Sequence, residues 1–199
     1  MKLPKPAWEG NLFVAQAIQQ RRTVRGFSPR ALNANQLSQL LWAADGVTED
    51  GGYKRAAPSA GALYPMDLYA VVGQDAVPSI DAGIYHYQPG EHQLALVAQG
   101  DLRAPVAETC LSQRWMTQAP VTLVITAEYR RVNVKYGQRG IRYALMEAGH
   151  IGQNIFLQAQ ALGLAAGIVG AFHDEALIAA MSIPPAHEPL LLMPVGYKK

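Results

Sequence analysis

The sequence predicts an α+β fold in which a mixed, mostly antiparallel sheet is flanked by helices. Three observations support this prediction. Half of the 199 residues are hydrophobic, which is enough for a sizeable core. Short β-branched segments, two of them joined as a hairpin, occur among segments of helical periodicity. No repeat, low-complexity tract or linker divides the chain, so residues 1–199 are interpreted as a single domain.

Two helices are predicted before the first strand. Asn11 is expected to cap a helix over 12–20. A second helix is expected to begin after Asn33, because Gln36 three residues later completes a capping box, and to end at Gly46. Its buried stripe is predicted to comprise Leu37, Leu40, Leu41 and Ala44.

The middle of the chain is predicted to be rich in strands. A strand is expected over 67–73, and two short strands over 83–88 and 93–98 are joined by a Pro-Gly pair, as in a hairpin. Asp101 is expected to cap a helix of about ten residues. Residues 119–129 are β-branched and apolar on both faces, which predicts a central strand.

The longest helical pattern runs over 142–162 and is apolar on nearly every side. Such a helix is normally buried all round. Gly149 and Gly152 would each cost an exposed helix about 1 kcal/mol, so we expect another backbone to pack closely there. We therefore expect this long central helix to pack with one side on the protein's own sheet and with the other on another subunit, as the low share of charged residues, 16%, also hints.

Three further elements are predicted after this helix. The sequence indicates a strand over 165–172, a short helix capped by Asp174, and a final strand over 190–196.

Composition excludes several classes of function. The net charge is +2 and no Lys/Arg run resembles a nucleic-acid-binding surface. The single cysteine, Cys110, is interpreted as a small buried hydrophobic residue. No apolar run is long enough for a membrane span, and no signal peptide is seen, so a cytoplasmic location is expected. A chain trimmed of an export signal would begin in the same way.

The segment Arg21-Arg22-Thr23-Val24-Arg25 follows the first helix and is a candidate anion site. Guanidinium groups match the geometry of phosphate oxygens, and Thr23 adds a hydroxyl. A solvated basic turn explains the same residues about equally well.

Two segments of small residues are candidates for contact with a flat ligand. Residues 57–65 read APSAGALYP, and small side chains there would let the backbone approach a ligand while Ser59 offers a hydroxyl. Residues 167–172 read GIVGAF, where main-chain N–H groups at a strand end would be accessible. The structural alternatives are an ordinary turn and a strand with a bulge.

Two polar groups adjoin the long helix. Residues 135–140 are interpreted as a polar loop in which Lys135 and Tyr136 would donate or relay protons, although a charged surface loop is the commoner meaning. His150, Gln153 and Asn154 share one helical face. They are expected to bond within the protein or across an interface, since only Glu147 lies near them at the spacing of a metal ligand.

The order of these motifs resembles the nitroreductase superfamily, and within it the SagB/ThcOx-type dehydrogenase branch. The resemblance extends from about Asn11 to Gly196. The motifs that carry it, in chain order, are RRTVR, LSQLLWAA, APSAGALYP, KYGQRGIRY, MEAGHIGQN, IVGAF and PLLLMPVG.

The resemblance implies a nitroreductase-like fold and non-covalently bound FMN at the interface of an intertwined homodimer. By position, the implied cofactor-binding residues fall into four groups. They are Arg21, Arg22, Thr23 and Arg25; Pro58, Ser59, Ala60 and Gly61, usually contributed by the other subunit; Val169 and Gly170, beside the flavin ring; and Lys198 or Lys199.

The implied function is hydride transfer through flavin N5 to or from a small organic substrate. Azole-forming relatives of the branch have a Lys-Tyr pair that removes a proton, and Lys135-Tyr136 matches it. Nitroreductase-like reduction by NAD(P)H and azoline-dehydrogenase-like oxidation both fit. The alternative from another class is a non-catalytic FMN-binding subunit that needs a partner protein for its substrate. No metal is expected.

Overall fold

The structure is a computed structural model that describes residues 1–49 and 51–199. Six α-helices and six strands lie in these two ranges, with short 3₁₀ helices at Ala60–Ala62 and Arg114–Gln118. The α-helices are α1 Val14–Gln20, α2 Ala34–Asp45, α3 Arg103–Thr109, α4 Tyr129–Tyr136, α5 Arg139–Ala161 and α6 Asp174–Met181. The strands are β1 Met66–Val72, β2 Gly83–Gln88, β3 Gln93–Gln99, β4 Val121–Ala127, β5 Ala165–Ala166 and β6 Glu188–Gly196.

The six strands form one sheet in the order β3-β2-β1-β4-β6-β5. All five strand pairings are antiparallel. Every residue of β1 and β4 is buried, as expected for central strands covered on both faces. The prediction of an α+β fold with a mostly antiparallel sheet is therefore confirmed.

Helices cover both faces of the sheet. Leu68, Ala70 and Val72 of β1 join the core beneath α2 and α5. The alternate residues Tyr69 and Val71 join a second core beneath α3 and α6. This division follows from the two-residue period of a strand, which sends successive side chains to opposite faces.

Local signals in the first half of the chain predict several elements correctly. The Asn33 side chain accepts the Gln36 N–H at 2.9 Å, the Gln36 side chain accepts the Asn33 N–H at 3.0 Å, and α2 ends at Gly46. The four residues of the predicted stripe are fully buried. The hairpin forms as expected from β2 and β3.

Three predicted helix caps are wrong. Phe13 rather than Asn11 precedes α1, and its N–H donates to the Gln16 side chain. α3 has seven residues and is preceded by Leu102 rather than Asp101. The Asp101 carboxylate, one residue earlier, accepts the Arg103 N–H at 3.2 Å and the Arg103 Nε–H at 2.9 Å. Asp174 is the first residue of α6 and not its cap. In each case the local pattern placed the helix within a few residues of its true start.

Two predicted elements differ in type. The strand expected over 165–172 has only two residues in regular pairing, Ala165 and Ala166. Pairing with β6 continues irregularly beyond them, since the Gly167 N–H donates to the Pro194 carbonyl and Val169 forms an antiparallel bridge with Leu192. The loop expected over 135–140 begins as the end of α4, so Lys135 and Tyr136 are helical.

α5 is buried on one side only within the protomer. Ala144, Ile151 and Ile155 face the core, whereas Leu145 and Met146 are 51% and 60% exposed. The side of α5 that was expected to pack on the protein's own sheet does so, and the packing of the other side on a second subunit stays a prediction. We call the exposed residues Arg142, Leu145, Met146, Gly149, His150 and Gln153 the open stripe of α5.

The glycines of α5 have different surroundings. A Cβ on Gly152 would meet Leu191 and Met193 at ordinary contact distances of 3.5 and 3.6 Å. A Cβ on Gly149 would meet nothing within 4 Å, so the close backbone expected there is not part of the same protomer. None of the helices in the described ranges has the length and apolarity needed to cross a membrane.

Candidate functional site

The basic segment after α1 lies beside the short strand β5. Thr23 forms a parallel bridge with Ala166, and the N–H of Val24 donates to the Ala166 carbonyl at 2.9 Å. The close approach of Gly167 to Val24 leaves no room for a side chain at position 167, since a Cβ there would lie 2.7 Å from the Val24 carbonyl oxygen. Small residues in β5 and the following turn thus allow the basic segment to pack backbone against backbone.

The C-terminal residues lie beside the same basic segment. Phe27 forms an antiparallel bridge with Lys198, and the Lys199 N–H donates to the Gly26 carbonyl at 3.2 Å. Residues that are more than 170 positions apart in sequence are therefore neighbours. We call this group the cationic half-site; it comprises Arg21, Arg22, Thr23, Arg25, Lys198 and Lys199.

The five cations of this half-site have no carboxylate partner among residues 1–49 and 51–199. Arg21 lies over the ring of Phe156 at 5.3 Å, and Arg25 lies over the ring of Trp115 at 5.9 Å. The Arg22 guanidinium donates only to main-chain carbonyls. Uncompensated positive charge concentrated in this way attracts anions.

The turn after β5 offers one of the two predicted main-chain donors. The Val169 N–H donates to the Leu192 carbonyl at 2.8 Å, and Val169 is buried. Gly170 is exposed, and its N–H has no backbone partner in the described part of the chain. Of the two residues, only Gly170 therefore keeps an N–H available to a ligand.

A second group of site residues forms where segment 58–61 contacts the end of α4. Gly61 has a φ of +64°, and a Cβ built on it would lie 2.7 Å from the Tyr136 hydroxyl and 3.1 Å from Lys135 Nζ. The absence of a side chain at position 61 is thus what lets the two segments touch. We call this group the covering half-site; it comprises Pro58, Ser59, Ala60, Gly61, Lys135 and Tyr136.

Arg131 anchors the helix that carries Lys135 and Tyr136. It pairs with Asp67 of β1 at 2.8 Å and with Glu128 at 2.8 Å, and it donates to the Tyr64 carbonyl at 3.3 Å. One side chain therefore ties α4 both to the sheet and to the chain just after segment 58–61. Sequence reasoning missed this residue, since nothing in the local pattern distinguishes it from a surface arginine.

Asp67 is a buried carboxylate within this anchor. Its Oδ1 lies 2.9 Å from Nε2 of His86. Burial acts to raise the pKa of Asp67, but the hydrogen bond from His86 and the charge of Arg131 outweigh it and hold the pKa below its usual value. Asp67 is therefore ionised at neutral pH and fixes Arg131.

The two half-sites flank the open stripe of α5. Arg21 of the cationic half-site lies over Phe156, and Tyr136 of the covering half-site packs edge-on against Tyr143 at 5.0 Å between ring centroids. At about 100° per residue, the open stripe occupies the sector of the helix between Tyr143 and Phe156. A second molecule packed on the stripe would therefore contact both half-sites.

The three polar residues His150, Gln153 and Asn154 of α5 lie in two different environments. The Asn154 side chain donates to the Ala56 carbonyl at 3.2 Å and so supports the chain leading to segment 58–61. His150 and Gln153 are exposed on the open stripe. No three His, Cys, Asp or Glu side chains come together as a metal site within the two described ranges.

The family of the chain follows from comparison with known proteins. The model of the nitroreductase family matches residues 18–197. The chain belongs to the nitroreductase family. This match covers the whole sheet and every residue of both half-sites except Lys198 and Lys199, so the resemblance read from the motif order is confirmed at the level of the family.

Individual relatives of this nitroreductase-family chain support the assignment. It is 41% identical over 90% of its length, and 88% of the relative's, to a Methanocaldococcus jannaschii protein that carries a provisional nitroreductase name. A crystal structure from Ralstonia eutropha JMP134, also provisionally named a nitroreductase, superposes with a TM-score of 0.83 and 29% identity, covering 100% of this chain and 89% of the other.

One solved relative acts within a larger assembly. A chain of the Escherichia coli microcin synthetase McbBCD complex, with truncated pro-MccB17 bound, superposes with a TM-score of 0.78 and 25% identity. The match covers 100% of this chain and 78% of that one. The nitroreductase-like fold is thus shared with a component of a peptide-processing complex.

Proposed function

We propose that the chain is an FMN-dependent oxidoreductase that binds FMN without covalent attachment between two copies of itself. The observation that carries the proposal is the pair of half-sites on either side of the open stripe of α5. One half-site supplies cations without carboxylate partners, and the other supplies a Lys-Tyr pair beside small residues. Neither half-site alone has both features.

The cationic half-site has the chemistry required by the FMN phosphate. Arg21, Arg22 and Arg25 supply guanidinium donors, the Thr23 hydroxyl adds a neutral donor, and Lys198 or Lys199 adds an ammonium group from the end of the chain. Because these cations are not paired with carboxylates, a dianionic phosphate would compensate charge rather than compete for it. An arginine near the pyrimidine edge would also favour the reduced, anionic flavin.

Small residues provide room for the flavin ring. Pro58, Ser59, Ala60 and Gly61 present little side chain, so a flat ring would pack against their backbone. On the opposite edge, the turn at Val169-Gly170 presents the free N–H of Gly170. These features fit the aromatic ring of FMN and the need of its N5 region for a donor.

FMN supplies hydride transfer at N5, and the protein supplies positions and protons. Lys135 and Tyr136 lie on the surface of α4 next to Gly61, where they would hold or move a proton at the substrate. Arg131 fixes their helix to β1. We assign Lys135 and Tyr136 as the catalytic residues on this geometry.

Exposed apolar residues support a homodimer. Phe13, Val14 and Ile18 of α1 are 78%, 69% and 54% exposed, and α1 packs beside α5. Together with Leu145 and Met146 they form an apolar surface of a kind that monomeric proteins rarely expose. A second copy of the chain, placed on the open stripe, would bury these residues and bring each cationic half-site to the partner's covering half-site.

The proposal is tested first by the cofactor. The purified protein should be yellow and should release FMN when it is denatured. Size-exclusion chromatography with light scattering should give twice the mass of one chain. A colourless protein that takes up no added FMN would refute the proposal.

The direction of electron flow needs a separate experiment. If NADH or NADPH rapidly bleaches the flavin absorbance, the enzyme is a reductase of small acceptors such as nitroaromatic compounds or quinones. If neither donor bleaches it and an organic substrate does, the enzyme is a dehydrogenase. Lys135 and Tyr136 would serve either direction, since both require a proton to be moved.

A second candidate function is favoured by the similarity to the McbBCD chain. In this case the protein would bind FMN but depend on a partner protein to present the substrate. Turnover by the isolated protein over a panel of electron donors and acceptors distinguishes the two. Full FMN occupancy without any turnover would support the partner-dependent function.

A further inference from the structure

The chain just after the covering segment has an unfavourable backbone conformation. Gly61, Ala62 and Tyr64 have φ values of +64°, +53° and +45°, all in the left-handed region. Glycine adopts this region freely, whereas alanine and tyrosine adopt it only at a cost. Tyr64 also precedes Pro65, whose ring further restricts its backbone. Such a conformation persists only where the surrounding structure holds it, and it is commonest at functional sites.

The main chain of Tyr64 is held on both sides. Its N–H donates to the Ser59 hydroxyl oxygen at 3.0 Å, which ties it to the covering segment. Its carbonyl accepts from the Arg131 guanidinium at 3.3 Å, which ties it to α4. The same residue therefore joins the two segments that form the covering half-site.

The side chain of Tyr64 is held independently of its main chain. The Arg55 guanidinium lies over its ring, 4.2 Å from the ring centre, and is itself paired with the buried carboxylate of Asp45. The Tyr64 hydroxyl donates to the Tyr53 carbonyl. Every hydrogen-bonding group of Tyr64 is therefore engaged, and these contacts account for the persistence of its left-handed backbone.

The contacts of Tyr64 complete a closed ring. Arg131 lies about one turn of α4 before the Lys-Tyr pair, and Gly61 lies two residues after Ser59. Gly61 in turn contacts Tyr136 at the end of α4. The ring thus runs from the covering segment through Tyr64 to α4 and back to the covering segment, so neither segment can shift without breaking one of these contacts.

We propose that Tyr64 is a positioning residue of the flavin site, which sets the distance between segment 58–61 and the Lys135–Tyr136 pair. The segment keeps its strained conformation because Arg55 holds the ring of Tyr64 while Arg131 holds its carbonyl. The residues that would move a proton are thereby kept beside the segment on which the flavin would pack. This inference rests on the proposed function.

The first test is amide hydrogen exchange in the apoprotein, followed by mass spectrometry. In Tyr64→Ala the strained backbone is no longer held, so exchange should rise about tenfold both in residues 57–63 and in α4. Exchange in the central strand β4 should stay at the wild-type rate. A rise in all three regions would show a general loss of stability, and a rise in residues 57–63 alone would show that Tyr64 does not fix α4; either result would overturn the inference.

Two variants are controls for this experiment. Tyr64→Phe keeps an aromatic ring beneath Arg55 and should restore the wild-type exchange rates. Tyr53→Ala makes the same truncation at a side chain that is 80% exposed, where the main-chain carbonyl rather than the ring meets Tyr64. It should leave exchange in both segments unchanged. Equal effects of Tyr53→Ala and Tyr64→Ala would contradict a specific role for Tyr64.

The second test is a double-mutant cycle on turnover. Tyr64→Ala should lower kcat about tenfold in the wild-type background, because misplacement of a proton-transfer group slows the reaction. In the Lys135→Met background the same change should lower kcat by less than about twofold, since the group to be positioned is absent. Equal losses in both backgrounds would overturn the positioning role. Wild-type protein that binds no FMN would instead overturn the proposed function, and the exchange experiment, which needs no cofactor, would still test Tyr64.

Discussion

Arg21 is the cation whose surroundings are best defined in the cationic half-site. Its guanidinium lies over Phe156, which orients it without neutralising its charge. We predict that Arg21→Ala weakens FMN binding by about 1.5–3 kcal/mol, the usual value of a hydrogen bond to a charged group. Equilibrium titration with FMN measures the change.

The matched control for Arg21 is Arg114→Ala. Arg114 has a side chain that is 82% exposed and pairs with Glu108, so unlike the cations of the half-site it has a carboxylate partner. The same loss of charge there should leave FMN affinity unchanged. An equal loss in both variants would mean that net charge, rather than the half-site, attracts the phosphate.

Substitution of Lys135 or Tyr136 should lower turnover and leave cofactor binding intact. Both are placed by Gly61 and by the end of α4, and neither belongs to the cationic half-site. We predict that Lys135→Met and Tyr136→Phe retain bound FMN and lower kcat by about 10²-fold or more, as for removal of a general acid or base. The visible spectrum and steady-state kinetics test this together; loss of FMN in either variant would contradict the assigned roles.

At position 61 the choice of glycine follows from the geometry of the covering half-site. Its positive φ would strain any other residue, and a Cβ there would lie 2.7 Å from the Tyr136 hydroxyl, which would have to move. The sequence indicated only that small residues over 57–65 would allow close approach. The neighbour that makes the approach necessary, Tyr136, became visible only in the folded chain.

The position of α4 depends on a charge network that extends from β1. Asp67 is buried and is compensated by Arg131 and His86. We predict that Arg131→Ala lowers the free energy of unfolding by about 3 kcal/mol, because it leaves a buried charge less compensated. Turnover should fall with it, since Arg131 also fixes the helix that carries Lys135. Chemical denaturation and kinetics on the same samples measure both effects.

The pH dependence of stability gives an independent check of this network. The pKa of Asp67 is lower in the folded than in the unfolded chain. Its contribution to stability is therefore present above the unfolded pKa of about 4 and is lost as pH falls through the folded value. In Arg131→Ala the folded pKa rises towards the unfolded value, so the free energy of unfolding should fall less between neutral and acid pH than in the wild type. An equal loss of stability in acid in both proteins would contradict this account.

Elements with repeated apolar residues were predicted well, and elements defined by caps or short pairings were not. The buried stripe of α2 and the central strand β4 follow from periodicity, because burial imposes it. The starts of α1, α3 and α6 depend on single residues, and Asp101 lies one residue before the cap of α3. Regular pairing in β5 is limited to Ala165 and Ala166, and the close approach of Gly167 to Val24 beside it is a contact that no local pattern contains.

The open stripe of α5 is the surface on which a second copy of the chain is proposed to pack. We predict that Met146→Glu disrupts the dimer and lowers FMN occupancy, because it places a charge where two copies would meet. Met146 is 60% exposed in the protomer, so the fold of the chain should be retained. Light scattering, circular dichroism and flavin absorbance distinguish these effects.

Leu96→Glu is the matched control for Met146. Leu96 is similarly exposed, at 56%, but it lies on β3 at the far edge of the sheet. The dimer and its FMN should persist in this variant. If Met146→Glu also leaves both unchanged, the open stripe is not the interface between subunits.

The order of motifs was enough to predict the family and the mostly antiparallel α+β fold, while the site residues that it implies stay a prediction. Each of these is carried by residue types and spacings along the chain, so it can be recognised without coordinates. The arrangement of the half-sites could not be recognised in this way. Folding brings Lys198 to Phe27, Tyr136 to Gly61 and Arg131 to Asp67.

Long-range packing also decided which polar groups are buried without compensation. Glu147 occurs in a helical pattern that predicted a scaffold, and only the folded chain shows that its buried carboxyl has no hydrogen-bond partner among the described residues. The physical reason is that a pKa or an unpaired charge depends on neighbours in space. Periodicity predicts that a residue will be buried, whereas the fold determines which groups surround it.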